Sequence, residues 1–161
     1  MLHYAFCTFL LLATLSSLAQ SKRDLVTQHV NRTDVEAITG VTLKDPKFTD
    51  VDFSRETIAR YHSVKPRPYD AEVCIISVGR LDPIQYDQQL KVDKGMGYKG
   101  ELTGLGDKAY WADLGQGIGA YTKVAVVKGK NILSVTLTDS KPGLTRLEAT
   151  KQLVNKILPY L

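Results

Sequence analysis

Apolar and polar side chains alternate along residues 120–138 in the manner of two adjacent strands. Leu133, Val135 and Leu137 interleave with Ser134, Thr136 and Thr138, the period-2 pattern of a strand with one buried and one wet face. Ala120 to Val127 supplies the partner, and Lys128-Gly129-Lys130-Asn131 between them offers the residues that take positive φ at low cost. The pattern predicts a β-hairpin. A second period governs the end of the chain, where Leu144, Leu147, Val154, Ile157, Leu158 and Leu161 recur at helical spacing opposite Arg146, Glu148, Gln152 and Asn155. That predicts an amphipathic C-terminal helix, opened by a capping box of Thr145 and Glu148.

The remaining elements are shorter. Ala71 to Gly79, AEVCIISVG, is a nearly continuous apolar run and predicts a central strand covered on both faces. Asp82 is placed to cap a helix with Pro83 in its first turn and Gln85 completing the box, running to about Val92 with Tyr86 and Leu90 on its inner face. Gly95 and Gly97 interrupt the chain beyond that helix, and Tyr98 to Leu102 fits a short strand. Upstream, a Thr33 and Glu36 capping box predicts a helix over 34–39 that ends at Gly40. In the stretch 41–58 one short strand is expected, where Val51 and Phe53 alternate with polar neighbours, and 21–30 fits a short helix or an extended lead-in. Together these predict an α+β fold: an antiparallel sheet of about four to six strands with helices packed on it, the amphipathic C-terminal helix among them.

The first 20 residues contain no Lys, Arg, Asp or Glu and are almost wholly apolar from Tyr4 to Leu15, ending in Ser16-Ser17-Leu18-Ala19. This has the form of a secretory signal peptide with cleavage after Ala19, and its apolar run is shorter than the roughly 20 residues of a bilayer span. The chain from Gln20 onward has the length of one domain. Its partners are then sought outside the cytoplasm, with no transmembrane span in the mature chain. Cleavage would remove Cys7 and leave Cys74, between Val73 and Ile75, as a small buried hydrophobe with no intramolecular disulfide partner. Asn31-Arg32-Thr33 fits the N-glycosylation pattern.

The formal net charge of +4, from 21 basic and 17 acidic residues, is spread along the chain and speaks chiefly for solubility. One local concentration stands out. Arg60, His62, Lys65 and Arg67 fall among two prolines and two tyrosines, and predict an extended basic loop able to meet an anionic surface. Export argues against nucleic acid as its partner.

Catalytic and cofactor motifs are scarce. Gly115-Gln116-Gly117-Ile118-Gly119-Ala120 has the glycines of a nucleotide loop but leads into a strand rather than a helix, so it reads as a strand connection. His29 and His62 have no neighbours at metal-ligand spacing, and no nucleophile elbow accompanies them. Asp50 and Asp52 are more readily solvated loop carboxylates than a hydrolytic pair. No catalytic residue, metal or cofactor is assigned.

Gly104-Leu105-Gly106-Asp107-Lys108-Ala109-Tyr110-Trp111 is the most distinctive octapeptide, carrying the only Trp. With the capped Thr-Asp-Val helix, the Cys-bearing strand, the hairpin and the terminal helix, it resembles small exported bacterial domains of uncharacterised function. These are often lipoproteins, and some are thought to adopt a PsbP-like α+β sandwich. The resemblance runs from about Thr33 to Leu161 and implies an envelope protein that binds or assists rather than catalyses, its partner an envelope protein or a small ligand. This chain has no lipid-bearing cysteine after the leader. Tyr98, Asp107, Lys108, Tyr110 and Trp111 are the candidate ligand-binding residues, since aromatics beside a few polar groups suit a binding groove. Tyr110 and Trp111 must point to opposite faces of a strand. The alternative is a hydrolase built on a carboxylate or on His62.

Overall fold

In a computed structural model of the chain, the residues described are 22–52, 55–115 and 119–161, Tyr69 by its backbone alone. The stretch expected to be a leader, with Cys7, and the Gln116-Gly117-Ile118 part of the glycine-rich connection lie outside them, as does Phe53. The described residues form α1 (Lys22–His29), α2 (Arg32–Thr39), β1 (Lys47–Val51), β2 (Glu56–His62), β3 (Glu72–Arg80), α3 (Pro83–Met96), β4 (Tyr98–Glu101), β5 (Lys108–Asp113), β6 (Thr122–Lys128), β7 (Asn131–Leu137) and α4 (Arg146–Ile157). Short 3-10 turns lie at Pro68–Asp70 and Leu158–Tyr160. The seven strands make one antiparallel sheet in the order β1-β2-β3-β7-β6-β5-β4. The α+β class and the packed C-terminal helix are those the sequence predicts.

Strand alternation sorts the side chains onto two unlike faces. Tyr61, Ile76, Val135, Val124 and Trp111 lie on one, as the pairings Ala59 to Ile76, Ile76 to Val135, Val135 to Val124 and Val124 to Trp111 require. This face is covered by α4 over β6 and β7, by α1 over β2 and β3, and by α2 against α4. Ala149, Leu153, Val154 and Ile157 of α4 are fully buried there, each such aliphatic side chain of Val size or larger contributing about 1.5–3 kcal/mol. The Thr145 box caps α4 as predicted: Glu148 N–H donates to the Thr145 hydroxyl at 3.2 Å and Thr145 N–H to the Glu148 carboxylate at 3.1 Å.

The other face carries Ile75, Ser77 and Gly79 of β3, Ile132 and Ser134 of β7, Lys123 and Ala125 of β6 and Tyr110 of β5, and α3 alone lies over its β4–β5 end. β3 is therefore covered by helices on one face only; Ser77 and Gly79 look into an open cleft beside α3. Its apolar run was compatible with two buried faces because a serine and a glycine are small enough to interrupt neither pattern.

Three local expectations are corrected. Helix α2 is capped two residues earlier than Thr33: Asn31 Oδ1 accepts from Asp34 N–H at 3.0 Å and the Asp34 carboxylate accepts from Asn31 N–H at 3.0 Å. Glu36 is turned instead to Leu43 N–H at 2.8 Å; the helix still ends at Gly40, with φ +72°. Residues 22–29 take the helical of the two alternatives left open for them, whereas 41–58 contributes β1 and the start of β2 rather than one strand. Finally, the basic segment is not an extended loop throughout. Arg60, Tyr61 and His62 belong to β2, where Tyr61 is fully buried and its hydroxyl donates to Val30 O at 3.1 Å.

Candidate functional site

Helix α3 organises the open face. Asp82 caps it, its carboxylate accepting from Ile84 N–H at 2.9 Å and Gln85 N–H at 3.3 Å, and Pro83 fills the first turn. The inward positions Tyr86, Leu90, Asp93 and Gly97 recur at helical spacing. Of the helix's own residues only Asp93 is buried, at 2 % exposure, while Ile84, Val92 and Met96 are exposed. The C-terminal part of α3 is thus fixed by a charge rather than by apolar packing. Tyr110 OH donates to the Asp93 carboxylate at 2.6 Å, Lys123 Nζ at 2.8 Å and Gln89 Nε2 at 3.0 Å. Burial and then the Asp93 carboxylate push the Tyr110 phenol far up, so Tyr110 remains a donor.

Two clefts flank this helix. One, of about 170 Å³, lies over β3, β7 and β6 and is lined by Ser77, Arg80, Gln85, Tyr86, Lys123 and Ser134 among others. The other, of about 550 Å³, runs between α3 and the 102–108 loop. The larger groove brings together Tyr98, Asp107, Lys108 and Tyr110, four of the five residues singled out in the sequence. Trp111 is not among them. The neighbour of Tyr110 on β5, it points to the helix-covered face and packs half-buried against the core. Tyr86, which the sequence marked only as an inner-face residue, joins the groove: its ring centroid is 6.1 Å from that of Tyr110 at 69°, and Tyr98 is 6.1 Å from Tyr110 at 37°. Lys94 lies 5.6 Å over the Tyr98 ring.

The glycine-aspartate turn beside the groove is largely architectural. Leu105 is buried in the core, Asp107 N–H donates to Val127 O at 2.7 Å, and the Asp107 carboxylate accepts from Gly129 N–H at 2.6 Å. Asp107 thereby ties this loop to the β6–β7 turn, and Lys108 beside it is exposed.

The anionic-surface candidates lie at the other end of the sheet. β2 and β5 are four strand spacings apart in the sheet order, about 19 Å at the usual interstrand distance. Arg60 is 3.6 Å from Glu72 and donates to Thr49 Oγ1 at 3.1 Å. His62 Nδ1 is 3.2 Å from Asp70 O and 3.7 Å from its carboxylate. Arg67 pairs with Asp139 at 2.7 Å. Burial pushes the Asp139 carboxyl up, but Arg67 and the Thr138 hydroxyl outweigh it and hold the group below its usual range. Only Lys65 of the four is exposed, so these charges chiefly tie the segment to its neighbours.

Cys74 is fully enclosed, and burial pushes its thiol up, the opposite of what a nucleophile needs. His29 stacks on Tyr160 with centroids 3.4 Å apart. Among the described residues no group of three or more His, Cys, Asp or Glu could hold a metal ion, and no helix is long and apolar enough to cross a membrane. The buried Asp93–Lys123 pair is not evident from the sequence, although a carboxylate in the middle of an inward stripe was the available signal. No family model, curated protein or solved structure matches this chain.

Proposed function

We propose that this protein is a non-catalytic binding or accessory protein of the bacterial envelope, and that it holds its ligand in the groove between α3 and the 102–108 loop. The observation that carries this reading is the convergence of Tyr86, Tyr98 and Tyr110 with Lys94, Glu101 and Lys108 in one groove of about 550 Å³. That volume lies within the range of small-ligand sites, and aromatic walls with a few polar groups are their usual lining. The two half-buried rings are held by a third that is locked onto Asp93, so the wall is preorganised and little ordering opposes binding.

Thermal unfolding with fractions of envelope lipid, peptide and saccharide tests the reading. The fraction holding the ligand should stabilise the protein by about 2.7 kcal/mol at about a hundredfold excess over Kd, and Tyr98→Ala should remove the effect. If no fraction changes the melting temperature, the groove is not a binding site. Trp111 fluorescence is a poor reporter here, because that ring lies on the opposite face. Turnover of an ester, peptide or glycoside panel, abolished by His62→Ala or a carboxylate substitution, would instead support the hydrolase reading.

Placement in the envelope rests on the apolar, uncharged leader and on the resemblance carried by the octapeptide. The expected product in the native host is a soluble, unlipidated chain beginning after Ala19. An intact mass that retains the leader or includes acyl chains contradicts this.

A further inference from the structure

We infer that the ligand class of the larger groove is carbohydrate, a short neutral oligosaccharide; this rests on the groove being the binding site. The lining selects among ligand chemistries by what it exposes. Of its aliphatic side chains Leu105 and Ala109 are packed away, each 6 % exposed, and Leu90 and Leu102 are half-buried, so a lipid chain would meet two partly covered leucines among tyrosine rings and charged rims. A polyanion is disfavoured by charge: Asp87 and Glu101 face Lys94 and Lys108 around the groove, with the Asp107 carboxylate already taken by Gly129 N–H.

An extended peptide would be expected to add to the edge of the sheet, but the strand on offer is β4. It has four residues and a register shift between Tyr98 and Gly100, and Gly100 has φ +148°. Short and bulged edges are the ones that resist added strands. The remaining chemistry suits a polyol. Tyr86 and Tyr98 are half-buried rings that line the groove and can pack against the C–H side of a sugar, while Asp87, Lys94, Glu101 and Lys108 in the same lining supply carboxylates and ammonium groups for its hydroxyls. The exposed Gly104 and Gly106 also leave backbone groups within reach of a ligand.

The experiment is a titration of isotope-labelled protein, followed by amide and tyrosine-ring resonances, with four probes: neutral tetrasaccharides of glucose and of N-acetylglucosamine, a tetra-alanine peptide, and a lysophospholipid. The expected result is saturable shifts at Tyr86, Tyr98 and Lys108 with a tetrasaccharide alone. Tyr98→Ala should weaken that binding about tenfold or more, and Tyr98→Phe, which keeps the ring, should retain most of it. Shifts at the same residues from the peptide or the lysophospholipid but from neither saccharide overturn the carbohydrate assignment and leave the groove standing. Absence of shifts with every probe removes both. Saccharide binding that survives Tyr98→Ala in a folded variant overturns the stacking platform.

Discussion

Asp93→Ala should destabilise the protein by about 3–5 kcal/mol, the usual cost of removing one partner of a buried ion pair. Asp93 is 2 % exposed and is the shared acceptor for Tyr110, Lys123 and Gln89. Without it, the Lys123 ammonium, whose side chain is 13 % exposed, loses its counter-ion. The Tyr110 hydroxyl loses its acceptor on the same face. Asp93→Asn retains an oxygen for one or two of the donors and should cost less, about 1–3 kcal/mol. For a chain of this size about 3–5 kcal/mol corresponds to a fall in melting temperature of about 10 °C. Hydrogen exchange gives the spatial readout: protection should fall first in α3, because no other residue of that helix is buried. An Asp93→Ala protein within about 0.5 kcal/mol of the parent, with α3 still protected, would show that the helix is held by its half-buried Tyr86 and Leu90 instead.

The elements that the sequence made legible are those whose signals are local and doubled. The β6–β7 hairpin combines a period-2 pattern with a turn at Gly129, which has φ +58°, and α4 combines a helical stripe with its own capping box. Where two local signals competed, the choice went astray. Asn31 and Thr33 both stand ahead of a carboxylate at capping distance, and tertiary structure decides between them because Leu43 N–H draws Glu36 away. Similarly, the basic segment reads as a loop from its prolines, yet Tyr61 is placed in β2 by pairing with Cys74, a partner remote in sequence. The groove was legible only in part. Tyr98, Asp107, Lys108 and Tyr110 stand close in sequence across the β4–β5 turn, whereas Tyr86 and Lys94 arrive from α3 by packing. Trp111 was misplaced because alternation says that neighbours diverge and does not say which of them faces the core.

Gly106→Ala should cost about 2–5 kcal/mol, and comparison with Gly104→Ala should show where the cost arises. Both glycines have positive φ, +78° at Gly104 and +60° at Gly106, so each alanine incurs the left-handed penalty of about 1–2 kcal/mol. Their surroundings differ. A Cβ on Gly104 would meet nothing within 4 Å, whereas one on Gly106 would clash with Val127 O and lie 2.7 Å from Val126 Cγ1. The first of those contacts is with the carbonyl that accepts from Asp107 N–H at 2.7 Å. Relieving the clash therefore stretches the bond that seats the loop on β6, adding about 1–3 kcal/mol of overpacking strain. It also draws Asp107 away from Gly129 N–H and so loosens the link to the hairpin turn. Chemical denaturation of the two variants measures the difference. Equal losses would mean that conformation alone explains both glycines; a much larger loss at Gly106 assigns the second glycine of the octapeptide to the seating of the loop, and hence of the groove wall, on β6.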